Sequence, residues 1–286
     1  MRIGIATTDF AAFGADVLFG KIAGMGFESA QFAFASVIET DFVPDGRIEI
    51  PPVITAAAVN AIGKAASRYN ISIVSCNGTY NMSHPSAEVR AEGIKRMDGF
   101  AAAVRELGAS IISLCSGTRN EGYLWSYHAD SQTPAAWADM IESMKRAAEV
   151  AERYGLVLAV ETEYSNVVDT PEKARRMMDE VGSPRLKMVM DCANLFHPGD
   201  ARADNAAAVI THAFDVFGGD IVLAHGKDIR ASDGIEFCPT GEGIVDFKLF
   251  IQLLAKYGYT GDMVLHGILD EAKMPRGIEA VVAALG

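Results

Sequence analysis

Four short apolar runs, each ending in a carboxylate or an imidazole, constrain the fold of this chain more than any other feature of its sequence. The runs are Leu156–Glu161, Leu186–Asp191, Asp220–His225 and Asp262–His266. Apolar runs of this length are typical of strands that are buried on both faces in a parallel sheet. Their last residues follow at intervals of 30, 34 and 41 residues, which suits successive strand–helix units. We therefore expect four consecutive parallel strands.

The last residues of these strands predict a metal site. Side chains alternate across a strand, so Glu161 shares a face with Ala159, and the other three runs repeat this relationship. Parallel α/β folds carry their chemistry at the C-terminal ends of the strands. A single Glu or His at a strand end is usually solvated, but that explanation gives no reason for four repeats. The pattern predicts one divalent ion, with four candidate ligands: Glu161, Asp191, His225 and His266.

The rest of the chain continues the strand–helix alternation. We expect strands at 2–6, 28–34, 71–75 and 110–115, and helices at 15–25, 53–69, 205–217, 247–257 and 275–285. No composition break marks a linker, and neither a GxGxxG motif nor a Walker A motif is present. About eight alternations in 286 residues predict a single-domain (β/α)8 TIM barrel over residues 1–286, with parallel strands and the metal site at the C-terminal rim.

Composition excludes several classes of partner. The net charge of −12 disfavours a nucleic-acid partner, whose phosphates need a basic surface. No apolar run approaches the roughly 20 residues that span a bilayer, and the start leads straight into a strand, so we expect neither a membrane span nor a signal peptide. Four widely spaced cysteines favour reduced thiols and a cytoplasmic protein. A homo-oligomer is compatible with these features.

Several residues at the predicted barrel rim could have either a functional or a purely structural role. Lys227 could hold a substrate oxygen or pair with Asp228, and Asn194 could face the metal or cap a turn. Trp125 could stack on a sugar ring or pack its own loop, and His84, which precedes a proline, could be a turn residue. Loops 77–85 and 117–128 follow strands and mix aromatic residues with hydrogen-bond donors, so we expect them to cover a substrate. The predicted substrate contacts are Asn81, His84, Arg119, Trp125, His128, Asn194 and Lys227.

The motifs together resemble the xylose-isomerase-like TIM-barrel superfamily, the sugar phosphate isomerase/epimerase group, almost end to end. The resemblance rests on segments 81–85, 117–120, 160–163, 190–194, 224–228 and 240–243, with Trp125 and His128. It implies a divalent ion held by Glu, Asp, His and a second Glu at the ends of the last four strands. Glu161, Asp191 and His225 agree with that set, whereas His266 stands where the family has its second Glu.

The resemblance implies carbohydrate metabolism and, as the first hypothesis, a metal-dependent sugar isomerase or epimerase. In the family's ketose epimerases the two glutamates also form the acid–base pair, and this chain keeps only Glu161. His266 or Lys227 would then supply the second acid–base function. An imidazole in the site favours Mn, Co, Zn or Fe over Mg. A lyase or dehydratase acting on a keto-sugar or keto-inositol begins with the same proton abstraction and stays open, as does a non-catalytic sugar-binding barrel.

Overall fold

A closed barrel of eight parallel strands organises the chain, whose residues 1–286 are all described by the computed structural model. The barrel strands are β1 (Ile3–Ala6), β2 (Ser29–Phe32), β3 (Ser72–Asn77), β4 (Ile111–Cys115), β5 (Val157–Glu161), β6 (Leu186–Asp191), β7 (Ile221–Gly226) and β10 (Met263–Leu265). Neighbours in sequence are neighbours in the barrel, and β1 pairs with β10 to close it. The predicted fold class is confirmed.

Eight helices surround the barrel, and their ends follow from capping residues. The helices are α1 (Ala15–Gly24), α2 (Ala56–Arg68), α3 (Ala87–Glu106), α4 (Pro134–Tyr154), α5 (Pro171–Val181), α6 (Ala206–Phe217), α7 (Phe247–Lys256) and α8 (Met274–Leu285). Thr133 and Thr170 cap α4 and α5 by accepting backbone N–H bonds, and each precedes a proline at the first helical turn. These caps make the starts of both helices readable from sequence.

The core has two parts. Seventy-four buried residues pack between the barrel and its helices. Five others fill the barrel interior: Ala6, Ala159, Val189, Leu223 and Val264. Four of these five lie two positions before the predicted ligands, so the alternation along each strand turns the ligand side chains toward the barrel axis.

A small antiparallel hairpin interrupts the strand–helix pattern after β7. Its strands, β8 (Asp228–Ile229) and β9 (Phe237–Cys238), were not foreseen from the sequence because each has only two residues. The hairpin brings Phe237 over the barrel rim, where Lys227 Nζ lies 3.5 Å from the centre of its ring. None of the helices combines the length and the apolar composition that a membrane span requires. All four cysteines are free and buried.

Candidate metal centre and substrate cavity

Three of the four predicted ligands come together at the C-terminal ends of β5, β6 and β7. Ligand atoms of Glu161, Asp191 and His225 all lie within 4.8 Å of one another. His225 Nδ1 lies 3.5 Å from Glu161 Oε1 and 3.4 Å from Asp191 Oδ2. Strand register explains the pairing, since Asp191 lies directly beside His225 in the ladder of β6 and β7. The three residues therefore form a triad that faces one point.

The triad has the unsatisfied atoms that a metal ion would use. Asp191 Oδ2 and His225 Nδ1 are buried and make no hydrogen bond within the protein. Such groups are costly to bury unless something binds them. On the other side of the ring, His225 Nε2 lies 2.9 Å from Gln31 Oε1. Because a carbonyl oxygen only accepts, this contact keeps the proton on Nε2 and leaves Nδ1 as the ligand atom of the neutral ring. Two carboxylates and an imidazole fit a divalent transition ion.

The charges of the triad shift the proton affinities of its members. Burial opposes ionisation of Asp191, but the Lys227 ammonium and His225 outweigh it and hold the pKa of this carboxyl below its ordinary range. Burial likewise acts to lower the pKa of His225, but the carboxylates of Glu161 and Asp191 raise it to about 9. A proton thus occupies the site when no metal does, and a metal ion must displace it.

A cavity of about 370 Å³ adjoins the triad, and Glu161 is the triad residue that lines it. Five of the predicted site residues line it: Glu161, His266, Lys227, Asn194 and Trp125. Asn194 Nδ2 donates to Glu161 Oε1 at 2.5 Å, and Asn194 Oδ1 accepts from Lys227 Nζ at 2.8 Å. The amide of Asn194 therefore connects the triad to the only Lys or Arg side chain on the cavity wall. Lys227 forms no ion pair with Asp228, which instead accepts backbone N–H bonds from the loop at 241–245.

His266 lies at the cavity but outside the compact triad. Its ring centre is 5.5 Å from that of His225, and it follows the last residue of β10. His266 Nδ1 lies 3.1 Å from Asp9 Oδ1, and Asp9 Oδ2 accepts from the backbone N–H of Ile268 at 2.7 Å. A carboxylate accepts, so His266 Nδ1 donates and Nε2 is left free in the neutral ring. Its direct binding of a metal remains a prediction.

Four predicted substrate contacts do not line this cavity. Asn81 accepts from Thr118 N and donates to Asn120 O, and a Cβ at Gly117 would overlap Asn81 Oδ1. His84 Nε2 contacts Glu121 O, and Arg119 donates to Ser83 O and pairs with Asp139 at 2.7 Å. With His128, which accepts from Asp130 N, these residues join the loops after β3 and β4 to each other and to α4. Long loops need side-chain hydrogen bonds to satisfy their own backbone groups. The sequence alone does not show whether a polar loop residue serves this purpose or binds a substrate.

The cavity also contains acidic residues that the sequence analysis did not single out. Glu163 is buried two residues beyond Glu161, and burial raises its pKa to about 7 although Lys227 acts in the opposite direction. Glu49 enters from the long loop after β2 and accepts hydrogen bonds from Trp125 Nε1 and Asn77 Nδ2. Glu163 belongs to segment 160–163, and its position two residues after Glu161 could have identified it from the sequence. Glu49 lies in an irregular loop, and no local sequence pattern marks it as a cavity residue.

Comparison with known proteins gives the same architecture. A family model described as xylose isomerase-like TIM barrel matches residues 19–283. L-ribulose-5-phosphate 3-epimerase UlaE of Escherichia coli is 25% identical over 253 residues, which are 88% of this chain and 81% of that protein. The structure of 3-keto-D-glucoside 4-epimerase YcjR from E. coli has a TM-score of 0.70 at 17% identity and aligns over 100% of this chain and 99% of its own.

A second solved structure carries a metal ion. The IOLI protein with a bound zinc atom has a TM-score of 0.72 at 13% identity, covering 100% of this chain and 96% of its own. The named relatives UlaE and YcjR are both sugar epimerases, which are isomerases in the broad sense. The family match extends over nearly the whole barrel, from α1 to α8. The chain belongs to the xylose isomerase-like TIM-barrel family.

Proposed function

We propose that this chain is a divalent-metal-dependent sugar epimerase or isomerase that moves a proton on the carbon beside a carbonyl, and that residues 1–286 act as one barrel unit. The observation that carries the proposal is the triad of Glu161, Asp191 and His225, which has two buried unsatisfied ligand atoms and adjoins a cavity of about 370 Å³ through Glu161. The epimerase activity named for UlaE supports the same class of reaction.

The three triad residues would hold the ion, with His266 as a fourth ligand or beside it. This donor set favours Mn, Co, Zn or Fe over Mg, since imidazole is a poor partner for Mg. When bound, the ion would supply Lewis-acid polarisation of the substrate carbonyl, which makes the neighbouring C–H more acidic. Gln31 would keep the imidazole of His225 in its ligand form.

Proton transfer would be divided between the two sides of the cavity. Glu161 is our candidate base, because Asn194 holds its Oε1 by a hydrogen bond and thereby orients the carboxylate. Lys227, held by the same amide, would donate a hydrogen bond to a substrate oxygen on which negative charge develops. His266, with Nδ1 fixed by Asp9, would return or accept a proton through Nε2. Trp125 would cover the apolar face of the sugar.

A lyase or dehydratase of a keto-sugar or keto-inositol is the second candidate. The Asp9–His266 pair favours it, because His266 could protonate the departing β-substituent while Glu161 acts as the base. Both candidates begin with the same proton abstraction, so only the product separates them.

A screen in D2O tests the proposal. Protein loaded in turn with Mn, Co, Zn and Fe is incubated with ketoses and keto-inositols, and recovered sugars are analysed by NMR and mass spectrometry. We expect solvent deuterium at the carbon beside the carbonyl, together with an epimer or isomer of unchanged composition. A product that has lost water would instead establish the dehydratase. Absence of both deuterium and product from every sugar with every metal would reject both enzymes in favour of a binding barrel.

A further inference from the structure

Glu49 is a cavity residue to which the proposed reaction assigns no role. Its loop is fixed beside the β3 loop, because Glu49 N donates to Thr79 O at 2.9 Å and Ile48 forms a bridge with Tyr80. The carboxylate is therefore held in place on the cavity wall. Its Oε1 accepts from Trp125 Nε1 at 3.0 Å and its Oε2 from Asn77 Nδ2 at 2.5 Å. Both of these donors are neutral.

The carboxylate of Glu49 retains capacity for a further donor. A carboxylate has about four lone-pair positions, and only two are used here. Burial raises the pKa of Glu49, against the two hydrogen bonds that lower it, so the charged form is incompletely solvated. A hydroxyl group of a bound sugar that donated to Glu49 would supply part of the missing solvation.

The charges around the cavity disfavour an anionic substrate. Glu49, Glu161 and Glu163 line it, and Lys227 is the only Lys or Arg side chain among the lining residues. That ammonium already donates to Asn194. Even without Glu163, the carboxylates of Glu161, Asp191 and Glu49 would balance the three positive charges of a divalent ion and Lys227. No excess of positive charge is left to receive a phosphate ester of charge about −2.

The place where many TIM barrels bind phosphate is also filled. That place is the loops after the seventh and eighth barrel strands, whose backbone N–H groups hold the anion. Here Asp228 Oδ2 accepts from Gly241 N at 3.0 Å and from Gly243 N at 2.9 Å, and its Oδ1 accepts from Val245 N at 3.1 Å. The carboxylate of Asp228 thus takes three N–H groups of the loop after the seventh strand, which a phosphate bound at this loop would need.

We infer that the cavity selects an uncharged keto-sugar over a sugar phosphate, and that Glu49 is the residue that enforces this choice by accepting a sugar hydroxyl. The inference rests on the proposed function for the position of the sugar above the triad. It separates this chain from UlaE, whose name specifies a 5-phosphate substrate. The sugar's apolar C–H face would pack against Trp125 and Phe237, which line the same cavity.

Matched pairs of ligands test the selection. Zinc-loaded protein is titrated calorimetrically with L-ribulose, D-fructose and D-psicose, and with the terminal phosphate ester of each. In every pair that binds, we expect the uncharged ketose to bind about tenfold or more tightly, and inorganic phosphate not to displace it. A tighter phosphate ester, displacement by inorganic phosphate, or failure of all three uncharged ketoses to bind would overturn the inference.

Glu49→Gln tests the residue. The amide keeps the size of the side chain but removes its charge and turns an NH2 group toward Trp125 or Asn77. We expect the uncharged ketose to bind about tenfold more weakly and the preference over its phosphate ester to shrink. Glu121→Gln is the matched control, since it removes the same charge from an exposed position on the same rim. Unchanged affinities in Glu49→Gln, with the metal content and unfolding midpoint of the wild type, would reject the role of Glu49.

Deuterium exchange separates this inference from the function on which it rests. Exchange into the phosphate ester but not the free ketose would leave the epimerase proposal standing and overturn the inference. Tight binding of the free ketose without exchange in any sugar would support the inference and reject the epimerase.

Discussion

His266 Nδ1 lies 3.1 Å from Asp9 Oδ1, and this contact joins the residue after the last barrel strand to the turn after the first. The two strands are neighbours where the barrel closes, so residues 257 positions apart meet at the rim. Asp9 fixes the ring of His266 and leaves Nε2 free beside the cavity. A histidine held in this way presents one ring nitrogen to the cavity as a proton donor or acceptor.

The His266→Glu variant should damage turnover of the true substrate although it introduces the second Glu that the family resemblance implies. The new carboxylate would lie beside that of Asp9, and like charges at this distance repel. It would also weaken the Lewis acidity of a nearby metal. We expect kcat to fall by about 100-fold with metal content retained. An unchanged or higher kcat at verified metal occupancy would mean that His266 is a tolerated replacement without a role of its own.

Metal affinity should rise with pH. In the metal-free protein the carboxylates of the triad raise the pKa of His225 to about 9, so a proton must leave before Nδ1 can bind a metal. Below that pH we expect affinity to increase by about tenfold per pH unit, with close to one proton released per ion. Calorimetry in two buffers of different ionisation enthalpy measures the released proton. Affinity that is flat from about pH 6 to 8 would contradict this picture of His225.

Glu163 should destabilise the metal-free protein as pH rises. Its pKa is raised from 4.5 to about 7, so between these values the folded chain keeps a proton that the unfolded chain has lost. Stability is therefore lost as pH increases through this window, by at most about 3 kcal/mol. Glu163→Gln should remove that loss, as measured by urea unfolding of the metal-free protein. The control Glu142→Gln, at an exposed position on α4, should follow the wild type; an identical pH profile for Glu163→Gln would refute the assignment.

Arg119 and Trp125 should have opposite effects although both lie in the loop after β4. Arg119 pairs with Asp139 and donates to Ser83 O away from the cavity, so Arg119→Ala should lower the free energy of unfolding by about 1–3 kcal/mol with little change in sugar affinity. Trp125 lines the cavity, so Trp125→Ala should weaken sugar binding about tenfold. Unfolding and titration experiments on both variants check this. Normal stability with weak sugar binding in Arg119→Ala would restore Arg119 as a substrate contact.

The sequence was most informative in the strands, where the two-residue alternation of side chains sets both the buried core positions and the candidate metal ligands. Alternation along β5, β6 and β7 turned the predicted ligands toward the barrel axis, and the buried layer of Ala159, Val189 and Leu223 lies directly below them. The strand runs therefore predicted both the barrel and the grouping of Glu161, Asp191 and His225.

The roles of the loop residues could not be predicted as well, because their contacts join positions that are distant in sequence. Glu49 meets Trp125 across 76 positions, and Asp9 meets His266 across 257, and no local pattern encodes either pair. Asn81 and Arg119 have the chemistry of substrate contacts, but the loops use them to satisfy backbone groups and a half-buried ion pair. Residue type alone does not separate these uses.

The most direct test of the central claim measures deuterium exchange against bound metal in the wild type and in Asp191→Ala. Asp191 has a buried oxygen without a hydrogen-bond partner in the triad, so its loss should remove a charged ligand. We predict that wild-type exchange rises with added metal up to one equivalent and then stops rising. Asp191→Ala should lose both metal and exchange, while Asp204→Ala at the exposed surface keeps both. Full metal stoichiometry and exchange in Asp191→Ala, or exchange by the wild type that is independent of metal, would contradict the account.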